Sequence, residues 1–413
     1  MNHFTINSQR LKHDFEQLSA IGGSGDGGVH RPAFSESHLL ARQWFQKRII
    51  EDGFEFFMDG ADNHCARLPA KKSGAPTLLL GSHLDSVPSG GRYDGALGVL
   101  SALETLRSLR DARLELPCNL EAIDFTDEEG AHIGLLGSQA LTGRLTPEQL
   151  LNPASGHPAL EEGLQRAGLD ETGIFSARRD PTSLLAYLEL HIEQGPRLSQ
   201  AGVQIGVVTA IVGMRSFTIT YTGQADHAGT TPLDARKDAG LGAVNFMVKA
   251  HARVRRDFPG CVLNFGQVHF QPGAFNIVPA VAEIKLEFRS ADPGTLNLME
   301  QGLLDLTAKI AEEHGLGISV QSHDRLEPTD CSPLVQKAIA DTCDLLELKH
   351  IALSSGAGHD AMMLARVCPA GMIFVPSSGG SHCPAEYAAW DDCVNGANVL
   401  LNSAVHLINQ ANL

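Results

Sequence analysis

Four short apolar runs in this chain each stop at a cluster of acidic, amide or imidazole side chains. "APTLLLGSHLD" ends at His83 and Asp85, and "CNLEAIDFTDEEG" ends at Asp127, Glu128 and Glu129. "SLLAYLELHIEQG" ends at His191, Glu193 and Gln194, and "AGMIFVPSSGGSHCPAE" ends in a loop holding His382 and Glu386. Runs this short, bounded by turn residues, predict strands of a parallel sheet buried on both faces. In open α/β sheets ligands bind beyond the carboxyl ends of the strands, so the four clusters are expected to meet on one rim. Helical spacing marks Phe34 to Asp52 before the first run, and Gly95 to Leu109 after it through Ala96, Val99, Leu100, Leu103 and Leu106.

From about Val212 to Glu327 the pattern changes. "MRSFTITYTG", "CVLNFGQVHF", "AVAEIKLEFRS" and "GISVQSHDRLE" read as strands, with helices over Asp234 to Arg256 and Gly294 to His314. The order β-α-β-β-α-β is the ferredoxin-like arrangement, which folds as its own α+β unit. The expected organisation is therefore an α/β domain over 1–211 and 328–413, interrupted by an inserted domain over 212–327. The sheet of the first domain is expected to resume at "CSPLVQKAIADTCDLL". A length of 413 residues suits two domains, since single cores rarely grow beyond roughly 300 residues.

A formal charge of −16 argues against a nucleic-acid binder, which presents basic surface to phosphates. No window approaches 18 uninterrupted apolar residues, and "MNHFTINSQRLKHDF" lacks the build of a signal peptide, so a cytoplasmic protein without a membrane span is expected. Eight cysteines without a Cys-x-x-Cys pair suggest buried thiols rather than a disulfide framework or a thiolate zinc site.

One histidine at a strand end is ordinarily a satisfied polar residue. Together, however, His83, Asp94, Glu129, His191 and His382 supply imidazoles and carboxylates suited to zinc and similar divalent ions. With one carboxylate bridging, five ligands suffice for two ions with room left for water. Glu128 and Glu129 point differently from an extended strand end, so one can bind metal while the other shuttles a proton as general base. Asp85 is expected to accept the second N–H of His83 and so fix its tautomer.

As a set, "GSHLDSVPSGGRYDGALGVL", "FTDEEG", "HIEQGP", "DHAGTTP", "SGAGHDAMML" and "SHCPAE" resemble the successive motifs of an amidase family. That family contains N-carbamoyl-L-amino-acid hydrolases, β-ureidopropionases and allantoate amidohydrolases, within the superfamily of two-metal aminopeptidases and aminoacylases. The resemblance runs from about residue 80 to residue 386. It implies a zinc-aminopeptidase-like catalytic domain in which His83 and His191 hold one ion, Glu129 and His382 the other, and Asp94 bridges. It also implies Glu128 as the catalytic base and the inserted domain as a lid and dimerisation domain. His227 of "DHAGTTP" would stabilise the oxyanion, Gln194 would meet the carbamoyl end, and Asn276 and Arg289 the carboxylate of a small ureido substrate. His359 would play a supporting part.

Cys383 stands where relatives carry serine or asparagine, which suggests a site sensitive to oxidation or soft metals. "DNHCARL" also departs from the family's usual glycine-asparagine pair. The implied activity is hydrolysis of the carbamoyl C–N bond of an N-carbamoyl-L-amino acid by a homodimer carrying two divalent ions per subunit (Zn²⁺, or Mn²⁺, Co²⁺ or Ni²⁺). Allantoate hydrolysis is the alternative. An aminoacylase or dipeptidase fits "HIEQG" less well, and a silent metal-binding scaffold has no need of Glu128.

Overall fold

The computed structural model describes residues 3–410, so residues 1–2 and 411–413 of the expected outer ranges lie outside the described residues. The chain forms two compact units. One comprises Met1–Thr209, Asp330–Leu353 and Ala357–Leu413, and the other Ala210–Thr329 with Ser354–Gly356.

A nine-stranded mixed sheet organises the first unit. Its strands are β1 (Glu55–Met58), β2 (His64–Leu68), β3 (Thr77–His83), β4 (Asn119–Phe125), β5 (Leu184–Ile192) and β6 (Ile205–Ile211). After the second unit's β7 (Gly213–Thr222), β8 (Val262–Gln271), β9 (Val281–Ser290) and β10 (Gly317–Leu326), β11 (Thr329–Asp330), β12 (His350–Ser355) and β13 (Ala370–Val375) complete it. The order is β1-β2-β4-β3-β5-β13-β6-β11, with β12 beside β6. The central β4-β3-β5-β13 are mutually parallel, and β2 and β6 flank them antiparallel. Every residue of β3 is buried. Leu78 and Leu80 join Leu97, Leu100 and Leu103 of the helix Ala96–Asp111 and Leu400 and Leu401 of the helix Trp390–Gln410 in one core. Each such leucine contributes about 1.5–3 kcal/mol relative to exposure, enough to offset ending the strands on buried polar groups.

Register decides what the rim can do. His83 lies opposite Phe125, and Phe374 opposite His191, so the carboxyl ends of four parallel strands stand level. One expectation fails here: "CSPLVQKAIADTCDLL" is not a strand but contains the helix Pro333–Leu345. Pro333 opens it, and Val335, Ala338, Ile339 and Thr342 are buried at helical spacing. The strands that return to the sheet are β11 before it and β12 after it.

The second unit has a four-stranded antiparallel sheet in the order β10-β7-β9-β8. Two helices, Ala239–Asp257 and Pro293–His314, cover it, with Phe246, Met299 and Ile310 packed among Phe217, Ile284 and Phe288. The first of these begins later than the expected Asp234, because Leu233–Ala235 forms a 3-10 turn and the Asp238 side chain caps Leu241 N. Among the described residues no helix is long and apolar enough to cross a membrane.

Candidate metal centre

Two histidines anchor the rim. His83 closes β3 and His191 is the penultimate residue of β5, and both are buried. Each has Nδ1 against a backbone carbonyl, His83 on Asp85 O at 3.1 Å and His191 on Ile192 O at 2.9 Å. A carbonyl can only accept, so Nδ1 carries a proton and Nε2 is the nitrogen turned toward Asp94. The N–H of Gly95 donates to His191 Nε2 at 3.2 Å, in agreement with that tautomer.

Asp94 stands between these imidazoles and the outer loops. Its Oδ1 lies 3.5 Å from His83 Nε2 and 3.0 Å from His191 Nε2, while its Oδ2 lies 3.7 Å from His382 Nε2. Glu129 Oε2 is 3.4 Å from the same His382 nitrogen. The result is two groups with one member in common: His83, Asp94 and His191, and Asp94, Glu129 and His382. Donors about 2.0–2.1 Å from one tetrahedral ion lie about 3.3 Å from each other, so the observed spacings fit donors that converge on an ion. His83 Nε2 and Glu129 Oε1 are buried without a hydrogen-bond partner, as expected of atoms whose partner is a cation. Gly95 makes room for this packing. Its φ is +62°, and a Cβ there would come within 2.5 Å of the His83 ring.

Asp85 serves differently from expectation. Its carboxylate is 3.6 Å from His83 Nδ1, beyond hydrogen-bond range, and instead accepts from the backbone of Glu128 (Oδ1, 3.3 Å) and Glu129 (Oδ2, 3.1 Å). The carbonyl of Asp85 already holds the imidazole, which frees the side chain to anchor the backbone of both glutamates. Glu128 Oε2 comes within 3.6 Å of His83 Nε2. Asp127, with φ of +53°, accepts from His132 and Ile133 N and fixes the following turn.

The electrostatics follow from crowding carboxylates away from water. Burial, then the Glu129 charge, raises Glu128 well above the ordinary range, although His83 opposes this. Burial and Asp94 do the same to Glu129. Burial followed by Asp85 pushes Asp127 up to about 7. Burial disfavours charge on Asp94 and on His83, yet the imidazoles hold Asp94 well below its usual range, and Glu128, Asp94 and Asp85 hold His83 well above. The rim therefore favours positive charge at its centre.

Gln194, with φ of +59°, donates its amide to Asp94 Oδ2 at 2.7 Å and so lies at the second group. Beside it is a cavity of about 340 Å³ lined by Ser199, Ser377, Ser378 and glycines. His359 packs edge-on against the His191 ring at 4.6 Å, and burial next to His191 drives it well below its usual range. Cys383 Sγ donates to Gly379 O in the His382 loop.

His227, Asn276 and Arg289 belong to the second unit. His227 and Asn276 are exposed neighbours, since Ala228 N donates to Asn276 O and His227 forms a bridge with Ile277. Arg289 extends from β9, where Glu287 grips Nε at 3.0 Å and Nη2 at 2.9 Å, and Nη1 donates to Gly356 O.

Sequence reasoning assigned no role to Glu189, Asp360 or Glu386, all buried. Glu189 accepts from Ser82, Tyr187 and Ala361 N. Its signal was a glutamate two residues before His191, on the same strand face, inside an otherwise apolar run.

Known proteins carry the same arrangement of sequence and fold. The sequence profile of peptidase family M20/M25/M40 matches residues 79–406. An N-carbamoyl-L-amino acid amidohydrolase of Geobacillus stearothermophilus is 35% identical over 97% of this chain and 99% of its own. An allantoate amidohydrolase of Bacillus subtilis is 31% identical over 91% of each chain. The crystal structure of a hydantoinase/carbamoylase family amidase from Burkholderia multivorans superposes with a TM-score of 0.90 at 33% identity, covering 98% of both chains. On these grounds the chain belongs to peptidase family M20/M25/M40.

Proposed function

We propose that the protein hydrolyses the carbamoyl C–N bond of an N-carbamoyl-L-amino acid. The observation that carries this reading is the pair of ligand groups sharing Asp94, with Glu128 beside them and outside both. Two divalent ions held by these groups, whether zinc, manganese, cobalt or nickel, would supply the charge that acidifies water and polarises the scissile carbonyl.

Glu128 takes the proton of the attacking water and delivers it to the leaving nitrogen. Burial holds its carboxyl above the ordinary range, so it keeps a proton more readily than an exposed glutamate. The C–N bond to the amino acid breaks, and the carbamate released falls to carbon dioxide and ammonia. Gln194, beside the serine-lined cavity, binds the carbamoyl end. Asn276 and Arg289 bind the substrate carboxylate, for which the planar Arg289 fork, steadied by Glu287, is suited. His227, contributed by a partner subunit, stabilises the developing oxyanion.

In this reading the second unit is a lid and dimerisation domain. Support for a homodimer comes from β8, an exposed edge strand, and from Leu241, Val244 and Val248, which expose an apolar stripe on the helix Ala239–Asp257. A cytoplasmic location accords with eight free thiols.

Allantoate is the second candidate substrate, favoured by the similarity to the Bacillus subtilis enzyme. Ammonia release from a panel of N-carbamoyl-L-amino acids, N-carbamoyl-β-alanine and allantoate, with and without Mn²⁺, Co²⁺ or Zn²⁺, separates the two. Metal-dependent turnover of the first class is expected, and no turnover of any compound contradicts the enzyme assignment.

A further inference from the structure

Glu386 follows His382 by four residues and belongs to neither ligand group, yet its side chain is almost completely buried. Its Oε1 accepts from the backbone N–H of both Tyr93 and Asp94, each at 3.2 Å. The loop that carries it is closed by Ser378 and Tyr387, which exchange hydrogen bonds of 2.8 and 2.9 Å. The Tyr387 ring stands edge-on to Tyr93 at 6.0 Å. Opposite the carboxylate is Gly91, where a Cβ would lie 1.9 Å from Oε1.

The five ligand positions differ in what supports them. His83 and His191 are fixed by β3 and β5. His382 is half-exposed at the tip of a loop, with φ of +56°. Nothing in a strand sets its distance from Asp94. Glu386 joins the two loops through two backbone hydrogen bonds to one carboxylate oxygen.

We propose that Glu386 is a positioning residue of the ion centre: it ties the His382 loop to the backbone of Asp94, so that Asp94 Oδ2 and His382 Nε2 are held in register for the second ion. This inference rests on the two-ion reading above. Changes to groups that orient metal ligands cost about 10–100-fold in affinity, and here the loss falls on the second ion because the first keeps two strand-borne imidazoles.

The test is a titration of the metal-depleted full chain with Zn²⁺ by calorimetry and with Co²⁺ by visible absorption. Wild type is expected to bind two ions. Glu386→Ala keeps the first at wild-type affinity, binds the second at least about tenfold more weakly, and shows a changed Co²⁺ spectrum. Gly91→Ala, which leaves the carboxylate in the chain but displaces it, gives the same split. Glu386→Gln retains the accepting oxygen and restores the second ion. Wild-type affinity for both ions in both alanine variants overturns the inference, as does a Gln variant no better than Ala. A wild-type chain that binds fewer than two ions overturns the two-ion reading and this inference with it.

Discussion

The rim of the first unit and the loops of the second divide the residues of interest into two kinds. On the rim, His83, Asp94 and His191 are buried, and their orientation is set by strand ends, backbone carbonyls and the tight contact at Gly95. In the second unit His227 and Asn276 are exposed, and Arg289 is steadied by one carboxylate neighbour. The difference teaches where each task can be built. Holding ions and moving a proton need fixed donors, and the ends of the parallel core strands fix His83 and His191 in a dry place. Recognising one end of a small molecule can be left to groups that order when it arrives.

Removing the proton shuttle breaks this division most severely. Glu128→Gln is expected to lose about 10²–10⁴-fold in kcat while elemental analysis still finds both ions. Loss of metal in that variant means that Glu128 and Glu129 have exchanged roles. Arg289→Ala, on the other unit, should raise KM by about 10–100-fold for a carboxylate substrate and leave ion content unchanged. If kcat falls as steeply instead, the recognition role is wrong.

The dimer surface comes next in size. Val248→Asp places a charge on the exposed stripe and should weaken self-association at least about tenfold by sedimentation, without altering ion content. An unchanged oligomer removes that surface from the account.

The smallest effect is on stability and belongs to the buried side of the comparison. Burial, then the Arg42 charge, holds His38 well below its usual 6.5, and its Nδ1 accepts from Phe34 N. The folded chain thus binds fewer protons here than the unfolded chain once pH falls below about 6.5. Its contribution is present above that pH and is lost as the medium becomes more acid, at up to about 1.4 kcal/mol per pH unit. Relative to His38→Asn, the wild type should lose stability from pH 7 to 5 by calorimetry in chelator. Parallel pH profiles for the two proteins contradict it.

Much of the rim was legible in the sequence because its logic is carried by residue type: apolar runs that stop at His83, Glu128 and Glu129, His191 and His382. The four central strands of the first unit and the four strands of the second follow from the same patterning, whereas β1, β2, β6, β11 and β12 are additional to the expected strands. What was hidden involves the backbone. Asp85 and Glu386 each grip two consecutive N–H groups, and no side-chain pattern reports which N–H groups lie near a carboxylate. The segment expected to return to the sheet is the helix Pro333–Leu345, as Pro333 and the spacing of Val335, Ala338 and Ile339 signal.

The central claim is that one carboxylate, Asp94, serves both ligand groups. Ion stoichiometry measured side by side on the wild type, His382→Ala and Asp94→Ala tests it most directly. The account predicts two tightly held ions per chain in the wild type, one in His382→Ala, and none in Asp94→Ala. Retention of one tightly held ion by Asp94→Ala contradicts a shared ligand and would leave the two groups as independent sites.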